Sequence, residues 1–469
     1  MLDAEGWAES EFGGADLGDR RRTRRLVDLA AEVARAPAGT VTRACRSSAS
    51  QEGAFRWLEN QAVRWEPVRA AMAAATLGRC RTAKRVHVPI DGTTLTLTDT
   101  ARAKGFGAVG SWTQGSRGVQ VMTAFAVGDG GIPLGIVSQR MWVREQRSRR
   151  PEKALSAQVE QRETRYWIEL LQSTHEAFEE QAPDTEAFFQ LDRGADCWPV
   201  LSAALELGLL LTVRAAHNRR VDTQAKTLWD EVARTPVRDT FRIQVPARSK
   251  LRRRKRSHGK RVEWLVARKA HEAQLVVRAT SVPLRLGNGQ RAVFNAVLVR
   301  ERHRSRGERI EWLLLSTHPI RTKRDVRAIV DGYALRWRIE EFHRVWKRGL
   351  CRVEDTQLRS KQAVFKWATI LASVASRAMH LTHLARREPD LPAENELTQY
   401  EIEALIALRR PKGVSLSDKP TLGQAVRWIA DLGGYTGPWN GPPGATVIGR
   451  GLDDVLAAAR AFESRDKMR

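Results

Sequence analysis

Cysteine is scarce in this chain of 469 residues: Cys45, Cys80, Cys197 and Cys351 lie far apart, and none belongs to a CxxC pair. That spacing excludes a zinc ribbon and a disulfide scaffold and suits a reducing cytoplasm. No apolar run approaches the roughly 18 residues of a membrane span, so none is expected. The segment Met1 to Phe12 is acidic and lacks an apolar stretch, so no signal peptide is expected. Internal repeats and long low-complexity tracts are also missing. Acidic residues are outnumbered, 54 against 79 Lys and Arg, which leaves a formal charge of +25. Such a surplus points to a polyanionic partner, nucleic acid first. Arg-favouring codons in a GC-rich genome would give the same surplus without a function. Hydrophobic residues make up 42%, enough for packed cores. At about 150 residues per domain, roughly two to four domains are expected.

Asp19 is placed to cap a helix over about 20–36, with Leu26, Leu29, Ala30 and Val33 as its apolar stripe. Arg20, Arg21, Arg22, Arg24 and Arg25 crowd its start. Cations there oppose the helix dipole, and DNA phosphates would compensate them; a solvated face is the plain alternative. Two further helices, about 51–60 and 66–77, complete a small helical module. The period then changes. Residues 85–90 alternate as a strand that ends on Asp91, and 93–97 continue as a second one, a possible hairpin. Strands follow at 119–127 and 132–143 around the turn residues Gly128 to Gly131. A helix fits 155–178, a strand 187–191 ending on Asp192, a helix 194–207 and a strand 209–213. That order predicts a mixed α/β sheet. Strands at 240–245, 261–266, 274–279, 293–299 and 310–315 make a β-rich insert over about 237–316. The rest is helical, near 323–348, 361–385, 400–409, 421–432 and 451–463. The densest basic run, Ser249 to Arg261, lies in the insert and reads as a loop on DNA phosphates or as a solvated loop.

The chemistry concentrates in a helix from Tyr333 to Lys347. Leu335, Ile339, Phe342 and Trp346 form one stripe, suited to a core. Tyr333, Arg336, Glu340, His343 and Lys347 form another, with one carboxylate among cations. A structural i,i+4 pair between Arg336 and Glu340 explains part of this pattern. Asp91 and Asp192 each close a predicted strand. If those strands are neighbours, their carboxylates lie close together, and Glu340 could complete a cluster. Three carboxylates repel unless cations neutralise them. Hard oxygen ligands suit Mg²⁺ or Mn²⁺, and two such ions promote phosphodiester chemistry.

The spacing Tyr333-x2-Arg336-x3-Glu340-x6-Lys347 resembles the Tyr-Arg-Glu-Lys signature of the insertion-sequence-four family of bacterial DDE transposases. Its surroundings Arg336 to His343, together with Asp91 to Thr94, Asp192 to Asp196, Leu17 to Arg21 and Gln51 to Ala54, resemble the same family. The likeness implies an α/β fold with an RNase H-like catalytic core and a β-rich insertion, flanked by helical N-terminal and C-terminal domains. The implied limits are 1–78 for a transposon-end DNA-binding domain, 79–388 for the catalytic domain and 389–469 for a dimerisation region. It implies Asp91, Asp192 and Glu340 as the catalytic, metal-holding triad, with two Mg²⁺ ions that Mn²⁺ can replace. Tyr333, Arg336 and Lys347 would contact the DNA backbone, Trp312 would stack on a flipped base, and Arg214 would lie close to the transposon end. With Arg20, Arg21 and Arg22 these are the expected DNA contacts. The expected activity is cut-and-paste transposition: hydrolysis at the ends, a hairpin intermediate and strand transfer. The partners would be double-stranded DNA and a second copy of the chain, with no membrane, in a nucleoid-associated cytoplasmic setting. A metal-dependent nuclease without strand transfer and an inactive end-binding derivative stay open as alternatives.

Overall fold

The computed structural model describes residues 3–110, 115–144, 163–223, 225–245, 269–287, 289–302, 309–409, 419–437 and 441–467. The basic run 249–261, the strand expected at 261–266 and the start of the helix expected from 155 lie outside the described residues. Two compact units are formed: Met1–Phe189 with Leu335–Tyr435 and Pro443–Arg469, and Gln190–Ala334 with Thr436–Pro442.

The first unit opens with five helices, α1 (Ala4–Phe12), α2 (Arg20–Arg35), α3 (Val41–Ala44), α4 (Ser48–Glu59) and α5 (Trp65–Cys80). Asp19 caps α2 as its sequence position suggests, its carboxylate accepting from Arg21 N at 2.8 Å. The stripe Leu26, Leu29, Ala30 and Val33 is fully buried. Next come β1 (Arg85–Leu97), the short β2 (Gly107–Ala108), β3 (Arg117–Val127), β4 (Pro133–Trp142), α6 (Thr164–Gln181) and β5 (Glu186–Leu191). β3 pairs antiparallel with β1 on one side and with β4 and β2 on the other. β5 is the other neighbour of β1. Nearly every residue of β3 is buried, the mark of a strand covered on both faces. The β1–β3 approach is close enough that a Cβ at Gly118 would fall 1.8 Å from the Leu95 carbonyl oxygen, so glycine is required there.

Asp91 does not end a strand, and no hairpin follows it. β1 runs unbroken through Asp91 and Gly92, which lie opposite Thr123 and Met122 of β3. Asp-Gly reads locally as a turn, but the apolar residues on both sides of it fit one continuous ladder.

The remaining helices of this unit are α10 (Trp337–Lys347), α11 (Lys361–Arg387), α12 (Gln399–Arg409), α13 (Leu422–Leu432) and α14 (Ala445–Lys467). α11 is its buried spine, and Trp367, Ile370, Leu371 and Val374 lie within the core. Polar side chains tie the N-terminal helices to it. Buried Glu11 accepts from Arg79 Nη1 at 2.8 Å and from the Ser373 hydroxyl. Lys366, 1% exposed, donates to the carbonyls of Asn60 and Val63, each at 3.0 Å. Burial pushes that ammonium down to about 8, with Glu59 opposing the shift. No described helix is long and apolar enough to cross a membrane.

The second unit holds α7 (Trp198–Glu206), β6 (Leu210–Arg214), α8 (Leu228–Arg234), β7 (Val237–Val245), β8 (His271–Arg285), β9 (Arg291–Glu301), β10 (Glu311–Ser316) and most of α9 (Lys323–Leu335). Its strands run in the order β6-β10-β9-β8-β7 with antiparallel pairing throughout. β8 alternates buried and open positions, as a strand with one covered face does. Ala273, Leu275, Val277, Val299 and Leu314 pack with Val326, Ile329, Val330 and Tyr333 of α9.

The helix expected across 323–348 is thus two helices that meet at Arg336. Tyr333 is buried in the core of the second unit, while Ile339, Phe342 and Trp346 are buried in that of the first. Ile339 N bonds the Arg336 carbonyl at 3.2 Å, a tightened i→i+3 turn at the junction.

Candidate active site

Three elements of the first unit build the site. β1 contributes Asp91, whose Oδ1 accepts from Gly92 N at 2.8 Å. The junction before α10 contributes Arg336, and the first turn of α10 contributes Glu340. Phe125 of β3 stacks on Phe342 with ring centroids 4.9 Å apart, and Phe342 stacks on Trp346. That apolar packing fixes the rotation of α10 and turns Glu340 away from the core. Arg336 then lies between the two carboxylates. Its Nη1 reaches Asp91 Oδ2 at 3.3 Å, and its Nη2 bonds Glu340 Oε1. The guanidinium is 13% exposed, so water screens this pairing less than it would a surface ion pair.

Lys347 stands three turns down the same helix. Its Nζ lies 3.3 Å from Thr93 Oγ1 and 3.5 Å from Glu354 Oε1. Glu354 also accepts from Thr96 N at 2.8 Å and from Arg348 Nε at 3.0 Å. It therefore braces Lys347 against β1. Sequence reasoning missed Glu354, because it follows a helix end and a turn and no regular spacing links it to Lys347. His343, on the same stripe, is buried. Its imidazole is pushed down to about 3, first by burial and then by the positive Lys347 and Arg336. It is neutral at ordinary pH and adds no charge to the site.

Asp192 belongs to the second unit. It is the first residue after β5 and caps a short turn at Arg193–Ala195, accepting from Gly194 N at 2.7 Å. Four residues on, Asp196 does different work. It is 2% exposed and accepts from Arg219 Nη1 at 2.9 Å and Nη2 at 2.5 Å, from Ala216 N at 2.6 Å and from His217 N at 3.2 Å. Asp196 so pins the segment that follows β6. The paired aspartates of Asp192 to Asp196 are visible in the sequence; only burial separates their roles.

The other expected DNA contacts are spread out. Trp312, on β10, is half-buried, and its ring meets that of buried Tyr333 edge-on, centroids 5.5 Å apart. Arg214 ends β6 opposite Leu314 and donates Nη2 to the Glu311 carbonyl at 3.1 Å. Arg20 and Arg21 are exposed at the start of α2, whereas Arg22 is half-buried and donates to the Leu17 carbonyl at 3.1 Å.

Among the described residues, no group of three His, Cys, Asp or Glu side chains is disposed to hold a metal ion. The chemistry of the donors still fits a hard divalent cation. Asp91 and Glu340 offer carboxylate oxygens to one positive group, and the guanidinium of Arg336 is that group.

Residues 4–63 match the family model described as transposase DNA-binding, and residues 188–376 match the model described as the transposase DDE domain. The first match contains Arg20, Arg21 and Arg22. The second contains Asp192, Arg214, Trp312, Tyr333, Arg336, Glu340 and Lys347 and begins beyond Asp91. The mixed sheet with its flanking helices is the α/β architecture of an RNase H-like DDE core.

Proposed function

We propose that this chain, a DDE transposase by its two matched domains, performs cut-and-paste transposition, and that Asp91, Asp192 and Glu340 act as one site. The observation that carries the proposal is the meeting of Asp91 and Glu340 on Arg336. Asp192 joins them by the family likeness, since it lies within the residues matched to the transposase DDE domain. We assign end recognition to residues 1–78, catalysis to 79–388 and pairing of two copies to 389–469.

The three carboxylates would hold two Mg²⁺ ions, which supply Lewis acidity to the attacking and leaving oxygens of an in-line displacement. Every other task falls to the chain. Arg336 and Lys347 hold phosphate oxygens of the scissile strand beside the carboxylates. Water attacks phosphorus, the P–O3′ bond breaks, and the transposon strand leaves with a free 3′ hydroxyl. That hydroxyl attacks the phosphodiester that joins the opposite strand to flanking DNA; a new P–O3′ bond closes a hairpin on the transposon end, the old P–O3′ bond breaks, and the flanking strand leaves with a 3′ hydroxyl. A second water attacks the hairpin phosphorus, which breaks its P–O3′ bond and leaves a 5′ phosphate, and the freed 3′ hydroxyl attacks a target phosphodiester and displaces the target strand's 3′ oxygen. All four steps exchange one oxygen for another on phosphorus, so one site can perform them in turn. In the hairpin, Trp312 would leave its contact with Tyr333 and stack on the displaced base.

Metal removal tests this directly. Cleavage of labelled end DNA is expected with Mg²⁺, is expected to stop with EDTA, and is expected to return with added Mg²⁺ or Mn²⁺. Undiminished cleavage in EDTA would overturn the proposed chemistry.

A further inference from the structure

A cavity of about 510 Å³ in the first unit is lined by none of the active-site residues. The end of α2, the neighbourhood of α3, the end of α13 and the body of α14 form its walls, with Arg352. Six arginines line it, Arg35, Arg43, Arg46, Arg352, Arg450 and Arg460, against two carboxylates, Asp453 and Asp454. Two of the six form ion pairs: Arg35 pairs with Glu5 and Glu463, and Arg352 Nη2 lies 3.1 Å from Asp453 Oδ2. Arg460 Nε donates to the Leu456 carbonyl at 3.2 Å, and Asp453 attracts Arg43 and Arg460 without pairing with either. Among the described residues, no carboxylate forms an ion pair with Arg43, Arg46, Arg450 or Arg460. Arg46 and Arg460 oppose each other's charge, and burial with that repulsion holds the Arg460 guanidinium below its ordinary value.

The walls are preorganised. A Cβ at Gly451 would fall 1.7 Å from the Ile429 carbonyl oxygen, so α13 and α14 are in backbone contact beside the cavity. A Cβ at Gly39 would fall 1.9 Å from the carbonyl oxygen of Arg352, which fixes that residue's backbone. Arg352 has φ +48°, a left-handed conformation that costs energy in a side-chain-bearing residue. Guanidinium groups that repel one another, held on a rigid frame, suit an anion.

We propose that this cavity binds a ligand carrying two or more phosphate groups. Planar guanidinium forks match phosphate oxygens, and four that form no ion pair among the described residues exceed what one phosphate needs. Among the described residues no aromatic side chain lines the cavity, so it suits phosphate and not a base. The phosphates could belong to a DNA backbone or to a free compound of the pyrophosphate class.

The test uses the full chain, with pyrophosphate and a short DNA duplex as separate probes, each titrated by calorimetry. The variant Arg43→Ala/Arg46→Ala/Arg450→Ala removes exposed side chains, and circular dichroism checks its fold. A control, Arg81→Ala/Arg102→Ala/Arg234→Ala, removes the same charge elsewhere. A loss of DNA affinity of at least about tenfold in the variant but not in the control supports the site and assigns it to a DNA backbone. The same loss for pyrophosphate alone supports it and assigns it to a free phosphate compound. Affinities for both probes that are unchanged, or that fall equally in the control, overturn the proposal. Arg46→Glu should exceed Arg46→Ala in effect.

Discussion

Replacement of Glu340 by Gln, or of Asp91 by Asn, lowers the rate of end cleavage by at least about a thousandfold, roughly 4 kcal/mol of transition-state stabilisation. Both changes keep size and shape and remove one charge. Each also removes a carboxylate charge from beside Arg336, and the other carboxylate stays against the guanidinium, which is 13% exposed. Folding and affinity for end DNA should therefore change little. Asp192→Asn should produce the same loss. The decisive feature is non-additivity. Groups that act as one unit lose about as much singly as together, so Asp91→Asn/Asp192→Asn should be no slower than either single variant. Single-turnover cleavage of labelled end DNA, beside a binding titration, measures all four. Losses that multiply in the double variant would separate Asp192 from the site of Asp91 and Glu340.

A second large effect lies four residues along the chain. Asp196→Ala should destabilise the protein by about 3–5 kcal/mol, the usual result of removing one partner of a buried ion pair. The Asp196 carboxylate is fully buried and takes hydrogen bonds from Arg219 and from two backbone N–H groups after β6. Its loss takes the carboxylate from a 17%-exposed guanidinium, which keeps only the residue 196 carbonyl at 3.3 Å, and removes the acceptor of two backbone donors. Urea unfolding should show a lower midpoint for Asp196→Ala and a nearly native one for Asp192→Asn. A variant at Asp196 with native stability and no cleavage would move that residue from support to chemistry.

These two aspartates show where the sequence is transparent and where it is opaque. Features encoded by near neighbours are transparent. Asp19 caps α2 because a cap needs only a residue and the backbone two positions on. The stripe Ile339, Phe342 and Trp346 is buried because helical spacing alone sets it. The antiparallel strands of the second unit follow from their alternation. Opaque features depend on distant partners. Asp91-Gly92 has the composition of a turn, and only the ladder with Thr123 and Met122 keeps it within a strand. The stripe from Tyr333 to Lys347 looks like one surface, yet Tyr333 is drawn into a core with Val330 and Ile329 while Arg336 turns to Asp91, 245 positions earlier in the chain. Glu354 acquires its place only when the turn after α10 brings it to Thr96 and Lys347.

The most direct test of the central claim follows products with time. Wild-type protein is mixed with labelled transposon-end DNA, a target plasmid and Mg²⁺. The account predicts cleavage at the end first, then conversion of the freed 3′ ends into plasmid-joined DNA, with both products absent for Glu340→Gln. Cleaved ends that accumulate and never join the plasmid would contradict it and leave a metal-dependent nuclease.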